Sequence, residues 1–345
     1  MNKGLFSIPV YSQNISMDKI IDEIVEQVVN AERWGLSEAF FGEHITDKHE
    51  KITSSLLMVS TLSRLTKKIK LGTLTTNLNF HNPAVVAAMI SMADNLSKGR
   101  LILGIGSGAN MSDIESIGFA EKNNRAISLE IQKIIQELFI SKNLVNIESE
   151  NFKVSTKKFG NEDLGLGYFN QLYNERKNLE IVMPALNENS YNVKLCAKNN
   201  WSIVISNFCS EEIIENHIAN YLENSILEED EAYKKIKLSK LIFANKIKDN
   251  GKELVFSNNS PFMEVVSTIF KKLKKFNKHG CFGKNIDTPI EAGKNTILFG
   301  NPDEISTKIQ KKYKKLSSII YVTVPMTGVD KFDKSLETFS KYVSV

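Results

Sequence analysis

The sequence predicts a closed (β/α)8 barrel, and three observations predict it. Short apolar strands alternate with amphipathic helices eight times, the rhythm of a parallel sheet. The repeat occupies 345 residues, 42% of them hydrophobic, which accommodates the roughly 250 residues of a minimal barrel with extended loops. The strand ends are polar or rich in glycine, as strands are where a buried sheet opens onto a ligand face. A doubly wound open sheet is the competing architecture.

Gly4–Ile8 reads as strand one. Ser16 stands where its hydroxyl can accept from the free amides of a first helical turn. Ile20, Ile21, Ile24, Val25, Val28 and Val29 follow at helical spacing, and Gly35 ends the run. Glu38–Phe41 is strand two, Ser54–Leu65 a helix and Ile69–Thr76 strand three. Pro83 suits a helix start and leads into Val85–Leu96. Leu101–Ile105 is strand four, followed by an amphipathic helix over Arg125–Ile140. The second half continues with strands at Glu180–Met183, Ser202–Ser206, Lys237–Asn245 and Ser318–Val324. Helices are expected at Ser190–Lys198, Glu211–Leu222, Pro261–Phe276, Pro302–Leu316 and Lys331–Val343. The polar Ser141–Asn178 stretch and the Gly-, Asn- and Lys-rich Asn277–Thr296 stretch form the extended loops after strands four and seven. Loops of that length are lids, binding loops or disorder. No linker composition divides the chain, so residues 1–345 are expected to form one domain.

Charge and cysteine content narrow the function classes. The net charge is +4, from 44 basic and 40 acidic residues. Basic runs such as Lys271-Lys272-Leu273-Lys274-Lys275 interleave with apolar helix positions and read as solvated faces rather than a nucleic-acid footprint. The three cysteines, Cys196, Cys209 and Cys281, include no Cys-x-x-Cys pair. Their odd number fits a reduced, cytoplasmic interior. The N-terminal apolar run is short for a signal peptide, and no stretch approaches the ~20 apolar residues of a membrane span.

The strand ends, taken together, form a polar and mostly uncharged mouth. Glu43 and His44 follow strand two. Thr75, Thr76 and Asn77 end strand three. Gly106, Ser107 and Gly108 follow strand four, and Asn187–Asn192 follows strand five. His44 titrates near neutrality and is the candidate proton donor or acceptor; the alternative is a histidine bonded to a backbone carbonyl. His49, His81, His217 and His279 show no metal-ligand spacing, so no metal site is expected. Gly104-Ile-Gly106-Ser-Gly108 brings its third glycine one residue too early for a dinucleotide fingerprint. These glycines either admit a flat ligand against backbone or satisfy tight packing at the rim. The free amides at the start of the Ser190 helix favour an anion, and Arg125 offers a fixed positive charge. Taken singly, Ser190 and Asn189 also read as N-caps and Arg125 as a surface ion-pair partner. Jointly they point to a phosphate site.

Several of these segments resemble the bacterial luciferase-like flavin monooxygenases. They are Ala31-Glu-Arg-Trp-Gly-Leu-Ser-Glu-Ala-Phe-Phe-Gly-Glu-His44, Ile69-Lys-Leu-Gly-Thr73 with His81-Asn-Pro83, and Leu96-Ser-Lys-Gly-Arg-Leu-Ile-Leu-Gly-Ile-Gly-Ser-Gly108. Gly118-Phe119, Asn124-Arg-Ala126 and Gly300-Asn-Pro-Asp-Glu304 continue the likeness. Gly42-Glu-His-Ile-Thr46 is most similar to the limonene-monooxygenase-type branch. The resemblance is specific over 1–130, weaker over 180–206 and 297–345, and faint elsewhere.

The resemblance implies a (β/α)8 barrel that takes reduced FMN from a separate NAD(P)H-flavin reductase. O2, activated as a flavin peroxide, would then oxygenate a small aldehyde, ketone or alkene, and the chain would be a homo- or hetero-dimer. It implies that His44 is catalytic. It implies a cofactor site of Glu43, Leu74, Thr75, Gly106, Ser107, Arg125, Glu188, Asn189, Ser190 and Asn192. Gly106 and Ser107 stand where the light-emitting subunit has cysteine and arginine, and Ile45 where it has a second histidine, which argues against light emission. Two other functions stay open: hydride transfer with a flavin or deazaflavin on the same scaffold, and a non-catalytic flavin-binding subunit.

Overall fold

Eight barrel strands appear in the computed structural model, which describes all residues except 8–9, 12–13, 177, 247–250, 258 and 329. They are β1 (Asn2–Ser7), β2 (Glu38–Phe41), β3 (Lys70–Thr73), β4 (Leu101–Gly106), β5 (Glu180–Ala185), β6 (Ser202–Ile205), β7 (Ile236–Ala244) and β8 (Ser318–Val322). Hydrogen-bonded neighbours run from β1 through β6 in chain order. β6 pairs with β7, β7 with β8, and β8 returns to β1, so the sheet closes. The pairings β8–β1, β1–β2, β3–β4, β5–β6, β6–β7 and β7–β8 are all parallel. The chain is therefore an α/β protein with a (β/α)8 barrel, as the alternation predicts; the open sheet is excluded. Among the described residues, no helix is long and apolar enough to cross a membrane.

By internal packing the chain divides into two compact units. Residues 1–41, 48–50 and 182–345 form one, and residues 42–47 and 51–181 the other. The first unit's strands are nearly all buried. Inside them sits a buried polar group. Lys237 Nζ and Ser318 Oγ both donate to the Glu38 carboxylate, each at 2.5 Å. A buried charge is tolerated only when paired and hydrogen-bonded, and here both carboxylate oxygens are engaged.

The structure corrects several boundaries. The part of strand one predicted at Ile8 lies outside the described residues. Ser16 occupies the N-cap of helix Met17–Arg33, but its hydroxyl makes no capping bond to the backbone. Strand three is interrupted: β3 ends at Thr73, the Leu74–Thr75 peptide is cis, and a two-residue strand, Thr76–Asn77, pairs separately with β4. The Asn277–Thr296 stretch is ordered, with a 3-10 turn at His279–Phe282 and a capping-boxed helix at Pro289–Thr296. That helix runs into an additional strand, Ile297–Gly300, parallel to β7. Ser141–Asn178 contains a small antiparallel hairpin, Asn146–Glu148 with Lys153–Ser155. Its far end returns to helix Pro83–Leu96, where Arg176 Nε (3.0 Å) and Tyr173 N (2.9 Å) donate to the fully buried Asp94.

Candidate active site

The second unit gathers the residues after β2, β3 and β4. Immediately past β2, Glu43 turns inward and is 4% exposed. Its Oε2 accepts from Ser55 N (2.9 Å) and Ser55 Oγ (2.8 Å), and its Oε1 from Asn77 N (2.6 Å). Ser55 begins a helix, and its amide is one of the donors that a helix start leaves without an intrahelical partner. A single carboxylate thus ties the end of β2 to a helix start and to the strand beyond the cis peptide. Both of its oxygens are engaged by protein donors.

His44, the next residue, points the other way and is half-buried, with 18% of its side chain exposed. Its Nδ1 lies 2.9 Å from Asp113 Oδ2. Asp113 is 1% exposed and also accepts from Thr46 N (2.8 Å) and from Thr46 Oγ1. Burial opposes ionisation of Asp113. The hydrogen bonds from His44 and Thr46 and the nearby imidazole outweigh it and hold the carboxyl below its ordinary value. An ionised carboxylate can only accept, so Nδ1 carries a proton. Nε2 is then the nitrogen whose protonation changes when His44 gains or loses a proton. The alternative for a lone histidine, a bond to a backbone carbonyl, describes His49 instead: its Nδ1 lies 2.9 Å from the Tyr11 carbonyl oxygen.

Asp113 is the functional residue that the sequence conceals. It lies on a six-residue helix, Met111–Ser116, capped by Asn110 and placed where the sequence shows only a polar loop. The available signal was an Asn-x-x-Asp turn directly after the glycine-rich strand end.

Gly104 and Gly106 are explained by packing. A β-carbon on Gly104 would stand 1.8 Å from the Thr73 carbonyl oxygen, and one on Gly106 2.2 Å from Thr75 Oγ1. The space that glycine leaves is therefore taken by the neighbouring strand end, not by a ligand. Thr75 and Ser107, both half-buried, are the side chains available at this edge, while Leu74 is buried. Asn77 knits the edge together: its Oδ1 accepts from Thr75 Oγ1 (3.0 Å) and Gly108 N (3.2 Å). Arg125 is exposed on the first turn of helix Asn124–Ile140, whose N-cap is Asn123.

The remaining predicted residues lie in the first unit. Glu188 and Asn189 are exposed in the turn after β5, and Ser190 is the N-cap of helix Tyr191–Lys198. The Ser190 hydroxyl makes no capping bond. Asn192 Nδ2 donates to the Pro184 carbonyl (2.8 Å), and the Cys209 thiol to that of Leu186 (3.3 Å). Both bonds fix the base of the turn. Among the described residues, no group of three or more His, Cys, Asp or Glu side chains is arranged to hold a metal ion.

The family described as luciferase-like monooxygenase matches residues 1–159, the stretch that holds Glu43, His44 and Asp113. Over that stretch, a little under half of the chain, the sequence is similar to the luciferase-like family. The limonene 1,2-monooxygenase of Rhodococcus erythropolis is 29% identical over 135 residues, 39% of this chain and 35% of that protein. The F420-dependent glucose-6-phosphate dehydrogenase of Amycolatopsis mediterranei is 32% identical over 143 residues, 39% of this chain and 43% of that one. The chain spans about a third of the length of the first curated relatives it matches. A similar solved structure is the oxygenating constituent of 3,6-diketocamphane monooxygenase from Pseudomonas putida, in complex with FMN. Its TM-score is 0.85 at 22% identity, over 99% of this chain and 97% of that one. At that identity the likeness speaks for the fold.

Proposed function

We propose that this luciferase-like chain is the oxygenating component of a two-component monooxygenase. It uses reduced FMN, delivered by a separate NAD(P)H-dependent reductase, and O2 to oxygenate a small aldehyde, ketone or alkene. The observation that carries the reading is the His44–Asp113 pair, which joins the segment after β2 to the segment after β4.

The residues fit such a cofactor. Arg125 adds a permanent positive charge on a helix start. The half-buried Thr75 and Ser107 hydroxyls line the edge against which a ring system would rest. Reduced flavin supplies the electrons that activate O2; the protein's share is to position, exclude water and move a proton. His44 does the last. Asp113 fixes its tautomer and steadies a positive imidazolium, so that Nε2 can take up or deliver a proton at the reacting centre. The chain is proposed to act as a dimer, of two copies or with a related subunit.

The experiment is turnover under 18O2 with reduced FMN and a panel of such substrates. One labelled oxygen per product is expected, and unlabelled product refutes the reading. The likeness to an F420-dependent dehydrogenase supports a second reading, hydride transfer with a flavin or deazaflavin. Sustained turnover without O2 would select it.

A further inference from the structure

Asn79 stands between two elements of the candidate site, the loop after β4 and the helix start that bears Arg125. It lies in the 3-10 turn Leu78–Phe80, beyond the short strand after the cis peptide, and is 4% exposed. Its amide nitrogen reaches the Ser107 carbonyl (3.2 Å) in the loop after β4. It also reaches the Asn124 carbonyl (2.9 Å) and Asn124 Oδ1 (3.2 Å) at the start of the helix bearing Arg125. All three partners are acceptors, so only an amide NH2 serves here, and the orientation of the Asn79 amide is fixed by its surroundings. Its own Oδ1 is buried without a hydrogen-bond partner. A buried orphan acceptor is destabilising, so the residue is held by what its nitrogen does.

We infer that Asn79 is a positioning residue for the cofactor's phosphate end: it sets the Arg125 helix start against the Ser107 loop. The inference rests on the flavin reading and extends it. Asn124 is already clamped from its other side, since its Nδ2 donates to Phe119 O (3.2 Å). Asn79 is the second clamp, and the one that reaches the strand-end loop. Without it, Arg125 keeps its charge but loses its fixed place. The ring-facing side chains Thr75 and His44 are held separately, by Asn77 and Asp113. The effect of removing Asn79 should therefore fall on the phosphate and spare the ring.

FMN and riboflavin differ by that phosphate and serve as the probes. Their dissociation constants are measured by fluorescence titration for the wild-type chain and for Asn79→Asp and Asn79→Ala. Losing one positioned contact corresponds to about a tenfold weaker FMN affinity, with riboflavin changed less than about twofold. Asn79→Asp keeps the side chain's volume and guards against collapse of the turn, and each variant's unfolding transition is recorded beside the titrations. Equal losses for both ligands, or no loss for either, overturn the inference. A wild-type chain that binds neither ligand overturns the flavin reading itself. A wild-type chain that binds both equally well shows that the phosphate is not held, and this inference falls while a ring site stands.

Discussion

Glu43→Gln is the substitution whose outcome the structure fixes most closely. The two side chains have nearly the same shape, so no cavity forms. The carboxylate meets three donors: Ser55 N and Ser55 Oγ on one oxygen, Asn77 N on the other. A carboxamide offers one oxygen. Turned toward Ser55, it sets its NH2 against the Asn77 amide. Turned toward Asn77, it sets its NH2 against the Ser55 amide, although the Ser55 hydroxyl can rotate to accept. The second orientation is cheaper, yet one backbone donor in a site 4% exposed still loses its acceptor. The remaining bonds lose their charge assistance as well. One orphaned buried donor and weaker neighbours amount to about 2–3 kcal/mol. In a chain of this length that lowers Tm by roughly 3–4 °C. Urea unfolding of wild type and variant, with an unchanged m-value, checks the figure. A variant within about 0.5 kcal/mol of wild type would refute the claim that this carboxylate is a structural acceptor.

Four further outcomes are expected. Asp113→Asn should retain the fold but lower kcat roughly 10–100-fold, because the bonds lost are made to a charged group; unchanged kcat would remove Asp113 from the mechanism. Arg176→Ala strips the guanidinium from a fully buried Asp94 and should destabilise by about 3–5 kcal/mol; it should also open the 150–176 segment to limited proteolysis, and wild-type resistance would contradict the claim that the Arg176–Asp94 pair holds that segment. Burial opposes ionisation of Glu211, but Lys240, the Tyr313 hydroxyl and Lys312 outweigh it and hold the carboxyl down to about 2. That depressed value adds stability present above the ordinary glutamate range and lost as pH falls toward 2, so Glu211→Gln should flatten the acid limb of a stability-against-pH curve. Burial pushes the Cys209 and Cys281 thiols up to about 12, and Cys196 is raised too; native protein at pH 8 should leave all three unmodified by a thiol reagent that labels three in urea.

The barrel was legible because strand and helix periods differ and each apolar run is bounded by a turn signal. Pro83, Pro261 and Pro302 all stand at N1 or N2 of the helices they announce. Ser16 shows the limit of such signals: a capping residue type in the capping position leaves its hydroxyl elsewhere. The break in strand three is not marked by residue type or periodicity. Nothing in Leu74-Thr75-Thr76 marks a cis peptide, and the residues on both sides favour strand. The Asn277–Thr296 stretch looked irregular because Gly, Asn and Lys dominate it. Thr288 and Glu291 nevertheless form a complete capping box that starts a helix there.

At the site, the sequence exposes reactive types and hides what holds them. Glu43 and His44 are adjacent, and side chains of successive residues on an extended chain point to opposite sides. The structure divides them accordingly: Glu43 is buried on Ser55 and Asn77, and the partly exposed His44 pairs with Asp113. Residue type alone cannot assign that division, because either carboxylate or imidazole can face a ligand. The glycines reverse their apparent meaning by the same logic. Gly106 lacks a side chain so that Thr75 and Asn77 can close on β4, and that closure brings the Thr75 and Ser107 hydroxyls to one edge. A larger residue at 106 would push the Thr75 strand end outward before it met any ligand. Gly106→Ala should therefore destabilise the apo protein, whereas a glycine kept only to admit a ligand would tolerate alanine until that ligand is added.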